Sequence, residues 1–195
     1  DEYQLGEQIT CTGHFFPNLE DIARCWIYRE KWNHATHGPL ALEEAIARSC
    51  NIFFYTLADR LGAERLLKWY RRFGMGRMLD VGLRHRSTRQ DGETMWVGES
   101  SGELPTMKEM QRMAGRRFTT VIMGIGQGPI TWTPMQAANA FAQLARGGDI
   151  LDASVVDVDS NDERDTQRET ISFNNVVVDR ITEGLRQSVM EDYGT

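Results

Sequence analysis

The chain has 195 residues, 41% hydrophobic and 26% charged, enough for one ordinary domain or two small ones burying roughly 70% of the extended-chain surface. A formal charge of -6, with arginines scattered among acidic residues, leaves no basic stripe to track phosphates and excludes nucleic acid as a partner. No apolar run reaches the ~20 residues of a membrane-crossing helix, and the opening "DEYQLGEQ" lacks a targeting pattern, so such a segment is absent or removed upstream.

Residues 1–38, with "CTGHFFPN" and "WNHATHGP", read as a loop-rich arm of turns and short extended pieces. From Leu40 the spacing becomes helical, with Leu42, Ala45 and Ile46 on one face, and this helix stops near Arg48. A second helix, Ile52 to Leu61, ends at Gly62, and a third, Ala63 to Phe73, ends at Gly74, glycine being the residue that accepts the left-handed stop. Between the first two helices lies Ser49-Cys50-Asn51, three small polar or reactive residues where an ordinary cap would serve.

Residues 75–117 are rich in Gly, Arg and Glu and read as surface turns, with at most a short helix in "PTMKEMQRM". Thr133, Pro134 and Gln136 then form a helix start with a capping box, and that helix runs to Arg146 before Gly147-Gly148. Met135, Ala138, Phe141, Ala142 and Ala145 are expected to face the core. Asp157 to Thr170 is acidic and apolar-poor, with the composition of a mobile segment, and a last amphipathic helix covers Val176 to Met190 through Val177, Ile181, Leu185, Ser188 and Val189. The alternating Gly124, Gly126 and Gly128 lack the strand-turn-helix context of a nucleotide cradle.

Three blocks, "HGPLALEEAIARSCNIFFYTLADRLGAERLLKWYRRFGMG", "ESSGELP" and "GIGQGPITWTPMQAANAFAQLARGG", resemble in order and spacing the transpeptidase domain of class B penicillin-binding proteins, the elongation type above all. The resemblance implies a serine acyltransferase acting on the D-Ala-D-Ala end of a peptidoglycan stem peptide and inhibited by β-lactams. It further implies cell-wall elongation proteins as partners, and a place at the outer face of the cytoplasmic membrane. Three motifs build such a site: S-x-x-K with the nucleophile and its lysine, S-x-N between helices, and K-[ST]-G on a strand. Ser49-Cys50-Asn51 matches the second, which implies Ser49 as a proton relay and Asn51 as a positioning amide.

No serine is followed by lysine three residues on, and Lys31, Lys68 and Lys108, the only lysines, begin no K-[ST]-G. Within the resemblance the chain is therefore an internal part of one transpeptidase domain, inactive alone. Residues 1–38 are its loop-rich metal-tied arm, 39–148 a helical lobe carrying S-x-N, and 149–195 an acidic loop and terminal helix. The fold expected is mainly α, a helical lobe of an α/β domain lacking most of its central antiparallel sheet. An apolar face is left where that sheet packs, for a neighbour or a second copy to cover. A reading from another class is a non-catalytic, zinc-stabilised scaffold module of a wall-synthesis complex.

The cysteines Cys11, Cys25 and Cys50 are odd in number. With His37 they make a Cys3His set suited to structural zinc, and the resembling family places a histidine of "H-G" and the middle residue of S-x-N among the ligands of such an ion. His14 or His34 could replace a cysteine, and a Cys11–Cys25 disulfide with Cys50 as a buried small residue remains open.

Overall fold

Ile9–Cys11 (β1) pairs antiparallel with Gly38–Leu40 (β2), Cys11 lying opposite Gly38, so the two ends of the arm are drawn together before the helices begin. The structure is a computed structural model and describes residues 3–79, 85–97, 100–151 and 169–195. The greater part of the acidic stretch expected over 157–170 lies outside the described residues. Among those described, helices dominate and strands occur only as two-stranded ladders, which agrees with the mainly α expectation.

After β2 come Leu42–Ala47 (α1) and Asn51–Arg72 (α2). The expected break at Gly62 is present: its φ of 72° and ψ of 163° leave helical space inside α2. The expected stop at Gly74 is present too, with φ 90°. A hairpin, His85–Thr88 (β3) with Thr94–Val97 (β4), occupies part of the segment read as turns. Met107–Arg112 (α3) is the short helix, with Thr106 and Glu109 closing a capping box, and Arg116–Met123 (α4) was not marked as helix by its sequence pattern. Pro134–Ala145 (α5) starts on Thr133 as expected, its hydroxyl accepting from Gln136 N at 3.1 Å while Gln136 Oε1 accepts from Thr133 N at 2.8 Å. Asp149–Ile150 (β5), Glu169–Thr170 (β6) and Asn175–Met190 (α6) complete the order.

The chain forms two compact units. The first comprises residues 1–67, 105–129 and 174–195. Its core gathers Ile9, Leu40, Ala45, Ile52, Phe53, Tyr55 and Val121 around the three cysteines. Helix α6 packs on α1, and Gly184 makes this possible, because a Cβ there would lie 2.9 Å from both Glu43 O and Ile46 Cβ. Gly124, at the end of α4, meets α2 just as closely: a Cβ would sit 2.6 Å from Ala58 Cβ and Phe54 O. On α6 the inward face runs through Ile181 and Gly184, while Leu185, Val189 and Met190 are exposed.

The second unit comprises residues 68–104 and 130–173. Here the expected core face of α5 is corrected. Met135 and Phe141 are exposed, Phe141 by 62%, and the buried positions are Gln136, Asn139, Ala140 and Gln143. The physical reason lies in the loops that α5 meets. Gln136 Nε2 lies within hydrogen-bond distance of the carbonyls of Gly74 (3.2 Å), Arg77 (2.7 Å) and Ser101 (2.8 Å). Buried carbonyls need donors, so an amide rather than a hydrocarbon turns inward.

Candidate functional site

The junction between α1 and α2 answers why Ser49-Cys50-Asn51 stands there. Ser49 N–H donates to Ile46 O (3.0 Å) and Cys50 N–H to Ala45 O (2.9 Å), which together form the Schellman stop of α1. Its left-handed position is usually glycine, but here Ser49 holds φ 49°, a conformation costing an L-residue about 1 kcal/mol. Arg48, Ser49 and Cys50 link the two helices; Cys50, the last of them, is wholly buried, and Asn51 opens α2. A serine is thus held in a strained turn with its hydroxyl turned outward, between a buried thiol and the first turn of a long helix.

Ser49 Oγ lies 2.5 Å from Thr195 Oγ1. Thr195 Oγ1 also donates to Ala47 O at 3.3 Å, which leaves Ser49 as the donor of the shorter bond. Asn51 Nδ2 donates to Arg24 O at 3.1 Å. Ser49, Asn51, Thr195 and Gln127 form the polar side of an open groove of about 710 Å³, and Trp26, Ile46, Phe54 and Ile125 supply apolar walls. Trp26, Gln127 and Thr195 carried no mark in the sequence pattern: "RCW" drew attention to its cysteine, and nothing distinguishes Gln127 or Thr195 before folding.

Beneath this groove the four donors expected to converge do so. The ligand atoms of Cys11, Cys25, His37 and Cys50 all lie within 4.8 Å of one another, with Cys25 Sγ and His37 Nδ1 3.4 Å apart. A tetrahedral zinc with bonds of about 2.0–2.3 Å requires donor separations of about 3.4–3.8 Å. The Cys25–His37 pair meets this, and the set as a whole, no more than 4.8 Å across, is compatible with such an ion once its widest pairs draw in. His14 is not part of the set: its Nδ1 is hydrogen-bonded at 3.1 Å to Phe16 O. His34 packs on Tyr28, ring centroids 4.9 Å apart. The three thiols are free, with no Cys11–Cys25 disulfide.

Electrostatics within the cluster point the same way. Hydrogen bonds from Cys11, then Cys50, hold the Cys25 thiol far below its usual range, and His37 adds to this. Hydrogen bonding to Cys11, then to Cys25, pushes Cys50 up, and burial adds to this. Burial works against a charged His37 ring, yet hydrogen bonding to Cys11 and Cys25 outweighs it and raises the group to about 9. The pocket thus favours one thiolate beside a cation and disfavours further unbalanced negative charge. A divalent cation balances such a donor set without protons.

A family profile described as the penicillin-binding protein transpeptidase domain matches residues 21–195, and the chain belongs to that family. Among its relatives is the peptidoglycan D,D-transpeptidase MrdA of Acinetobacter baumannii, 32% identical over 120 residues that make up 60% of this chain and 16% of that protein. MrdA of Escherichia coli is 31% identical over 135 residues, 68% of this chain and 18% of that protein. The match therefore spans less than a fifth of the length of these relatives. A crystal structure of PBP2 from Pseudomonas aeruginosa superposes with a TM-score of 0.73 at 27% identity, covering 98% of this chain and 41% of that one.

Proposed function

We propose that this chain is part of a peptidoglycan D,D-transpeptidase that cross-links stem peptides by serine acyl transfer and is acylated by β-lactams. The observation that carries the reading is the placement of Ser49 and Asn51 side by side in an open groove, within a chain of the transpeptidase family. Acyl transfer needs a proton delivered to the departing D-Ala amine, and a hydroxyl fixed in space is a suitable relay. Ser49 is so fixed by its turn, and Asn51 has an amide able to orient a bound peptide. The serine–lysine pair that attacks is not found at S-x-x-K spacing in these 195 residues, so this chain alone is expected to stay unlabelled. Wall-elongation proteins are the expected partners, and the outer face of the cytoplasmic membrane the expected place. No helix among the described residues is long and apolar enough to cross a membrane.

Zinc is the ion proposed for Cys11, Cys25, His37 and Cys50. Four protein donors fill a tetrahedral shell and leave no open position for water, so its contribution is to tie the arm to the Ser49–Asn51 junction. The test uses the full-length protein and a fluorescent penicillin. Covalent labelling is expected in the native protein and its loss in Asn51→Ala, whereas labelling undiminished in that variant removes Asn51 from the site.

A further inference from the structure

Three consecutive arm residues meet the Ser49–Asn51 junction in turn. Arg24 offers its carbonyl to Asn51 Nδ2, Cys25 sets its sulfur beside Cys50, and Trp26 Nε1 donates to Arg48 O at 3.0 Å. The last bond falls on the peptide unit that joins Arg48 to Ser49. Rotation of that unit is coupled to the φ of Ser49, the one torsion held in left-handed space at this turn. Freed from its donor, the Arg48 carbonyl could swing and let Ser49 relax toward negative φ, carrying its hydroxyl away from the groove.

The indole is itself well held. Its ring meets Trp32 edge-on, centroids 5.4 Å apart at 90°, and lies 6.0 Å from the His37 ring, while Lys31 Nζ caps Trp32 at 3.9 Å. A donor whose orientation is fixed by its neighbours can fix what it bonds. Trp26 also borders the groove, so it stands at the site without offering a group to the chemistry.

Resting on the function proposed above, we infer that Trp26 is a positioning residue for acyl transfer: its indole N–H holds the Arg48 carbonyl and so keeps the Ser49 hydroxyl in place. Loss of one net hydrogen bond corresponds to a change of about fivefold to tenfold. That loss belongs in the acylation rate constant rather than in binding, because the groove wall is unaltered.

The test replaces Trp26 in the full-length zinc-loaded protein by benzothienylalanine, which keeps the ring shape and removes the N–H, alongside Trp26→Phe. Stopped-flow labelling with a fluorescent penicillin gives the acylation rate constant, the dissociation constant of the preceding complex and the labelled amplitude. The expected result is a rate constant about fivefold to tenfold lower in the isostere, with binding within about twofold and zinc retained. A merely structural role would shrink the amplitude and leave the rate constant of the surviving molecules unchanged, which overturns the inference, as does no change at all. If the native protein is not labelled, the proposed function fails and takes this inference with it. Native labelling with an unaltered isostere sinks the inference alone.

Discussion

Asn51 Nδ2 and Arg24 O, 27 positions apart in sequence, are joined by a 3.1 Å hydrogen bond that ties the loop-rich arm to the first turn of α2. The bond is half-buried, so removing the donor leaves a carbonyl short of a partner. Asn51→Ala is expected to lower the stability of the zinc-loaded chain by about 1 kcal/mol, read from urea unfolding. A variant as stable as the native chain would show that the arm is held without it.

Ser49 occupies a turn position that glycine fills at no steric cost. Ser49→Ala and Ser49→Gly both lose the hydroxyl bond to Thr195, so their difference isolates the backbone. The glycine variant is expected to be the more stable by about 1 kcal/mol in chemical denaturation. Both are expected to be impaired in acylating the full-length protein, separating the cost of the turn from the use of the side chain.

Metal analysis of protein purified without chelators is expected to give about one zinc per chain. Apparent energies for structural zinc, about 10 kcal/mol or more, rival the whole stability of a domain. Chelation should therefore open the arm to proteolysis between Cys11 and His37, and Cys50→Ser should do so without chelator. Metal-free protein with native protease resistance would remove the ion from the account.

Gln136 joins Gly74, Arg77 and Ser101 through one amide group while its oxygen caps the start of α5. Gln136→Leu keeps the approximate volume and strips every one of these contacts, at an expected cost of about 2–4 kcal/mol in urea unfolding. A loss below about 1 kcal/mol would mean that water replaces the amide.

Burial raises the Tyr70 phenol to about 12, while an unfolded tyrosine ionises near 10. The folded chain therefore keeps a proton that the unfolded chain releases. Its contribution is intact below about pH 10 and is lost as pH climbs from about 10 to 12. Tyr70→Phe is expected to flatten this part of the alkaline stability curve, followed by circular dichroism across that range.

Much of the helical plan was legible because it rests on local chemistry. Gly62 and Gly74 break or stop their helices where expected, and Thr133, Pro134 and Gln136 start α5 through a cap that needs no tertiary partner. The three cysteines could be gathered from residue type and count, since an odd cysteine demands a use, whereas His37 was singled out from the other histidines only through the family resemblance at His37-Gly38. What failed was periodicity read as burial. On α5 the apolar stripe through Met135 and Phe141 faces out, because the loops it meets present carbonyls that Gln136 must satisfy. That requirement arises from residues 35 to 62 positions away, and no window along the chain contains it. Trp26 and Thr195 were missed for the same reason: their partners at Arg48 and Ser49 are set by folding alone.

Gly184 brings α6 against α1 with nothing thicker than a hydrogen between their backbones at Glu43, and α1 ends one residue before the turn built on Ser49. Close-packed protein yields little under load. A push or tug on the last helix would reach that turn with scarcely any slack, as through a short stiff linkage rather than a spring.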